Sequence, residues 1–158
     1  MKAIIKMAWK ILKVGGWAPL SVFMLHAISA IILKVYERWP SYDMPMHFFG
    51  GLSFAFFVSQ CFQVLPRGLV KKSRSAVLEL LLIGSLTATA ATFWEFAEFT
   101  TDQLFDRNVQ VSLANTMQDM ALGIAGALAF ILMRAVKLRV GPSEFAEVTN
   151  DWITGKAA

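Results

Sequence analysis

The sequence predicts an all-α fold of the membrane kind: a polytopic bundle of four transmembrane helices with both termini in the cytoplasm. Three observations predict it. The chain is 56% hydrophobic with a mean hydropathy of +0.55, above the roughly 45–50% apolar share of soluble domains. Its apolar residues fall into four continuous runs, each near the 20 or so residues that cross a hydrocarbon core. Its lysines and arginines gather in alternate loops. At 158 residues there is room for one domain, taken as 1–140, followed by a polar cytoplasmic tail at 141–158.

The first run extends from about Trp17 to Tyr36, and a basic segment at 1–14 precedes it. Lys2, Lys6, Lys10 and Lys13 share one helical face there, with Ile4, Ile5, Trp9, Ile11 and Leu12 largely off it. This is the pattern of a short interfacial helix on anionic lipid, although simple positive-inside charge accounts for the lysines equally well. A basic start before an apolar run also resembles a cleaved signal peptide. The apolar stretch continues through Ile31, Ile32 and Leu33 without a small-residue cleavage site, so a retained anchor is expected. The second run extends from about Met46 to Leu65, where Pro66 is a natural stop. The third covers Ala76 to Phe99 and the fourth Leu113 to Val136. All four are continuously apolar rather than alternating, which argues against barrel strands.

Orientation follows from the basic residues. Lys2, Lys6, Lys10, Lys13, Arg67, Lys71, Lys72, Arg74, Arg134, Lys137, Arg139 and Lys156 fall on one side. Lys34, Arg38 and Arg107 fall on the other. Twelve against three in short loops places the first set in the cytoplasm. The expected location is therefore the plasma membrane, as a multi-pass protein (the inner membrane in a Gram-negative cell). Tyr36, Trp39 and Tyr42 then mark the outer interface, and Trp9 and Trp17 the inner one.

The net charge of +4 forms no continuous basic stripe and no nucleic-acid motif, so nucleic acid is not an expected partner. The one cysteine, Cys61, lies in an apolar run and reads as a packing residue. Membrane lipid is the expected partner; oligomeric state is not legible.

Charge enters the apolar runs in one pattern. Asp43 and His47 are four apart at the start of the second helix. Glu95, Glu98 and Asp102 follow i, i+3, i+7 at the end of the third. Asn115 and Asp119 are four apart at the start of the fourth. Each set shares a helical face, and with the alternating topology all three sets lie at the outer ends. A carboxylate deep in a membrane helix costs roughly 2.5–3.5 kcal/mol on insertion scales, less near the interface. Arg38 and Arg107 are the only outer cations near five acids. Acids crowded in this way either hold protons between them or take a cation.

Some of these groups have plainer readings. Asp43 is placed to cap its helix, and Asp102 to face water. His26, in the middle of the first run with no acid within a turn, reads as a core histidine bonded to a neighbouring helix. Gly50, Gly51, Gly123 and Gly126 read as small residues that let helices approach. Glu79, near the inner end of its run, is expected to pair with basic loop residues.

Tyr42-Asp43 with His47, Gly50-Gly51, Trp94-Glu95 with Glu98, and Asn115-Thr116 with Asp119 and Gly123 together resemble the YjdF-like membrane proteins, related in pattern to the VanZ-like proteins. The resemblance covers about Ser41 to Ala129. It implies a small multi-span protein with Asp43, His47, Glu95, Glu98 and Asp119 at the shared positions, and it implies no activity. An aspartate often stands in that pattern where this chain has Asn115, which weighs against Asn115 as a ligand.

Three functions fit. In the first, His47, Glu95, Glu98 and Asp119 hold a divalent ion, with Asp43 behind His47, and Glu95, Glu98 and Asp119 carry the catalytic work. Oxygen-rich ligation suits magnesium, calcium or manganese, and the histidine admits zinc. The reaction would be hydrolysis of a lipid or lipid-linked substrate. In the second, two carboxylates share a proton as a membrane peptidase dyad; Leu113 to Asp119 faintly resembles one aspartate motif of lipoprotein signal peptidases. The third is non-catalytic: a lipid-binding accessory or an ion or proton handler. Whether the protein is an enzyme is left open by the sequence.

Overall fold

The computed structural model describes residues 2–64 and 76–138, with the backbone alone at 2, 3 and 138. The basic loop around Arg67–Arg74, Pro66 and the expected tail at 141–158 lie outside the described residues. Every described element is helical.

The chain begins with one long helical run. Helix α1 (Lys2–Ile11), a π-helical turn (Leu12–Gly16), α2 (Trp17–Ala27) and a second π-helical turn (Ile28–Ile32) follow one another without a loop. Within it Ile4–Ile32 is 29 residues of apolar helix. The first span therefore starts well before Trp17 and stops short of Tyr36, a correction to the boundaries read from hydropathy. The basic face of α1 belongs to the same rod, with the Lys13 ammonium 5.2 Å from the centre of the Trp9 ring. At the first π turn Gly15 rests on helix α4: a Cβ there would come within 2.8 Å of Gln60 Cβ. The rod ends at Lys34, whose φ of 50° turns the backbone out of the helix. Two short helices, α3 (Val35–Arg38) and a 3-10 turn (Pro40–Tyr42), then lead into α4.

Three long helices complete the bundle: α4 (Asp43–Val64), α5 (Ala76–Phe105) and α6 (Leu113–Leu138). Ile4–Ile32, Ala76–Phe105 and Leu113–Lys137 are each long and apolar enough to cross a membrane. Helix α4 is also long, at 22 residues, but less apolar, and its position explains why. It packs against α6, α5 and α2, so it is the hub of the bundle. Its buried Gly51, Ser53 and Ser59 meet protein on several sides, where small residues serve better than large apolar ones.

The tightest crossing is that of α4 with α6. A Cβ added to Gly51 would overlap the Gly123 carbonyl, and one added to Gly126 would overlap the Phe48 carbonyl. Backbone meets backbone at this point. Below it Ala55, Val58, Ile83 and Ala127 form a small core, with Phe54, Phe62, Phe130 and Ile131 packed around them. Outward-facing positions carry large apolar groups; Leu132 and Val136 are 68% and 79% exposed. Such a surface needs lipid rather than water as its solvent.

Glu79 and Arg134 form an ion pair at 3.0 Å toward the basic end. Among the described residues the partner of Glu79 is therefore a helix residue, because α6 continues through Arg134 to Leu138; the basic loop expected to pair with it lies outside the described residues.

Candidate functional site

The start of α4, the end of α5 and the start of α6 meet at the end of the bundle opposite the Glu79–Arg134 pair. His47 stands at their centre. Its Nε2 lies 3.3 Å from Asp43 Oδ1, and its Nδ1 lies 3.8 Å from Glu95 Oε1. The imidazole therefore has a carboxylate at each nitrogen. Helical spacing supplies the first, since Asp43 is one turn back on the same helix. The α4–α5 packing supplies the second.

The glycine crossing sets the remaining distance. Gly51 and Gly123 lie one turn further into the bundle than His47 and Asp119. Helices in backbone contact there bring Asp119 to the Asp43 side of the imidazole. The five residues form two groups whose potential ligand atoms lie within 4.8 Å of one another: Asp43, His47 and Asp119, and His47, Glu95 and Glu98. The single sphere expected from the sequence is thus two triads that share His47.

Polar neighbours hold the acids from behind. Gln110 donates its side-chain N–H to both the backbone carbonyl and Oε2 of Glu95, at 3.0 and 3.2 Å. Trp94 Nε1 donates to Glu98 Oε1 at 2.8 Å. Asn115 Nδ2 donates to Asp119 Oδ2 at 2.7 Å, so Asn115 acts here by fixing an acid. The other oxygens, Glu95 Oε1 and Asp119 Oδ1, are buried and accept no hydrogen bond. Their residues are only 3% and 1% exposed. Among the described residues, no lysine or arginine pairs with any of these acids; Arg38 and Arg107 do not neutralise the site.

Asp102 has a different task from that suggested by its helical face. Its carboxylate accepts the backbone N–H groups of Val109 and Gln110 at 2.8 and 2.9 Å. It thereby folds the α5–α6 connection back and delivers Gln110 to Glu95. Gln110 carries no sequence signal for this role, because it lies between helices and its partner is fifteen residues away. Asp43 opens α4 as its first residue, and its ring partner is His47.

His26 joins the site from the first rod. Its Nδ1 is 2.7 Å from the Tyr36 hydroxyl, and its ring packs edge-on to Trp94 with centroids 5.5 Å apart. Burial, followed by the Asp43 charge, pushes the Tyr36 phenol well above its ordinary value. Tyr36 is therefore a neutral phenol hydrogen-bonded to His26 Nδ1. The sequence reading missed this proximity because it started the first span too late, which moved His26 to mid-membrane. In the longer rod His26 is six residues from the end at Ile32. Tyr42 is also drawn inward, with Tyr36 at 5.6 Å and Trp39 at 5.7 Å between ring centres.

Between α2, α4 and α5 lies a cavity of about 280 Å³, whose lining includes Phe23, His26, His47, Gly50, Phe54 and Trp94. Its walls are mostly apolar, and both histidines border it. The Ser53 and Thr87 hydroxyls on its walls already donate to their own helices, to the Gly50 and Ile83 carbonyls.

Fold and site together define a multi-pass integral membrane protein with a histidine set among carboxylates at one end of its bundle. The chain belongs to the family described as predicted membrane protein (DUF2238), which it matches over residues 6–139. That description carries no activity and neither of the names to which the motifs are similar. An uncharacterized protein of Thermotoga maritima is 35% identical over 113 residues, covering 67% of this chain and 53% of the relative. The chain thus spans about half the length of that relative. No solved structure matches.

Proposed function

We propose that the carboxylate–histidine layer is a divalent-cation centre at the outer surface of a four-span protein, and that it serves hydrolysis of a lipid or lipid-linked substrate. One observation carries the reading. Glu95 Oε1 is buried, accepts no hydrogen bond, and stands 3.8 Å from His47 Nδ1. That gap is too long for a hydrogen bond. It suits two ligands of one ion, whose bonds of about 2.0–2.2 Å set neighbouring ligands roughly 3–4 Å apart. A buried carboxylate oxygen without a donor is costly, and an ion between Glu95, Glu98 and His47 removes that cost.

In this arrangement Asp43 accepts the Nε2–H of His47 and orients it, as a carboxylate behind a metal-bound histidine does. Asp119 lies on that same side, close to Asp43. Mixed oxygen and imidazole ligation favours manganese or zinc, with magnesium the harder alternative. Such an ion supplies an acidified water and a clamp for a phosphoryl or acyl oxygen. Glu98, fixed by Trp94, and Asp119, fixed by Asn115, stand on the two sides of the imidazole as proton acceptors. The absence of a pairing lysine or arginine among the described residues also favours a cation over a neutral peptidase dyad.

Metal analysis of the full chain purified in detergent tests the reading. About one ion per chain is expected, lost in Glu98→Gln and weakened roughly 10–100-fold in Asp43→Asn. Metal-free wild-type protein that takes up no zinc, manganese or magnesium from a buffered series would overturn it.

The orientation rests on the twelve-to-three asymmetry of basic residues, and the fourth crossing on α4. At about 1.5 Å per residue, its 22 residues span roughly 33 Å. A reporter fused after Ala158 is expected to read as cytoplasmic. A reporter inserted near Arg107 is expected to read as external. The opposite pair of readings, or the same reading from both, would reject this topology.

A further inference from the structure

The cavity between α2, α4 and α5 is separate in its chemistry from the acid layer above it. Its floor includes Gly50, and that glycine has no packing reason to be one. A Cβ at Gly51 collides with α6, whereas a Cβ at Gly50 meets nothing within 4 Å. Glycine inside a helix is unfavourable relative to alanine, so an open, bare stretch of α4 is kept at a cost. Glycine does serve where a bound molecule passes close to the backbone.

The walls state what kind of molecule fits. Phe23, Phe54 and Trp94 offer apolar surface, and Ser53 and Thr87 have spent their hydroxyl protons on their own helices. Both nitrogens of His47 face carboxylates, so the polar group left to a guest is His26, through its Nε2, and both histidines lie toward the acid layer. From His47 to Phe54 is two turns of α4, about 10 Å. A guest with one polar end and one apolar chain matches this gradient. A guest that is polar throughout does not.

We propose that this cavity binds the single hydrocarbon chain of an amphiphile alongside Gly50, and holds its polar head between His26 and the His47 layer. The proposal deepens the hydrolase reading by naming its substrate class, and rests on that reading only for the role of the cation at the head. His26, oriented by Tyr36 through Nδ1, offers its Nε2 to the head as a positioning contact.

The test uses lysophosphatidic acid with a brominated acyl chain, added to the full chain in detergent. Bromine quenches tryptophan on contact, and Trp94 lines the cavity. The signal read is the wild-type quenching that disappears in Trp94→Phe. It is expected to saturate with probe. Gly50→Leu should fill the space and weaken the probe at least tenfold, with a melting temperature at or above wild type. Gly50→Ala, which meets no neighbour, should fold normally and lie between them. His26→Ala should weaken a brominated lysophosphatidic acid more than a brominated alkane of equal chain length.

Quenching in Gly50→Leu and Gly50→Ala that equals wild type would overturn the proposal, as would quenching that rises linearly without saturation. A chelator arm separates the two readings. Saturable, Gly50-dependent quenching that is unchanged by metal removal supports the chain site while counting against a cation at the head. A metal-replete protein without Gly50-dependent quenching does the reverse.

Discussion

Gly126→Ala is expected to destabilise the detergent-solubilised protein by about 3 kcal/mol, the upper end of the usual cost of overpacking. The added carbon would fall on the Phe48 carbonyl and within 2.7 Å of Leu52 N. Both are backbone atoms in the middle of α4, so no side chain can rotate away, and relief requires α6 to move. Gly51→Ala should behave alike, since its Cβ would fall on the Gly123 carbonyl. Gly50→Ala is the control one residue away, with no neighbour within 4 Å and a gain of about 1 kcal/mol in helix propensity. Thermal melts of the three variants should therefore split widely. Equal melting temperatures would mean that α4 and α6 do not cross at these glycines. The outward displacement of α6 would also carry Asp119 away from Asp43 and His47.

Glu95→Gln carries the second large effect. The substitution keeps volume and the hydrogen bonds from Gln110 but removes one negative charge from the His47–Glu95–Glu98 triad. If an ion binds, wild-type protein at a hundredfold excess over Kd gains about 2.7 kcal/mol by mass action, and most of that gain should vanish in the variant. A metal-free cluster strained by repulsion predicts the opposite sign, because the amide relieves like-charge crowding; apo Glu95→Gln would then melt above apo wild type. Solvated helix ends predict no change, and the 3% exposure of Glu95 already argues against them. Melts with chelator and with zinc, manganese or magnesium separate these cases. Wild-type melts that coincide in every condition, after verified removal of bound ion, would end the cation reading.

That Glu95, Glu98 and Asp119 gather around His47 at one end of the bundle, though in two triads and not one sphere, was legible because it needs only helical periodicity and an alternating topology. Both are written in the spacing of residues and the placement of lysines. What escaped depends on contacts between elements. Gly50 and Gly51 are equivalent in the sequence, yet one faces α6 and the other an open cavity, a distinction that only the rotation of α4 decides. Gln110 reaches Glu95 because Asp102 gathers two amides of the connection, and a loop of that kind has no period to read. His26 was misplaced by a boundary: hydropathy began the first span after the lysines, but α1 and the first π turn carry the helix through them. Helix α4 reads as one more apolar run, although its serines and glycines are what a helix surrounded by protein requires.

The order in which the helices emerge from the ribosome gives the position of α4 a consequence for assembly. The first rod is made before α4, yet most of its packing surface is on α4, including the seat of Gly15 against Gln60. It can dock as soon as α4 is made, before α5 or α6 exists. The glycine crossing closes only when α6 arrives. Asp43 and His47 thus wait first for α5, which brings Glu95 and Glu98, and then for α6, which brings Asp119. The charged layer is therefore assembled in two steps, one triad at a time, with His47 in place before either.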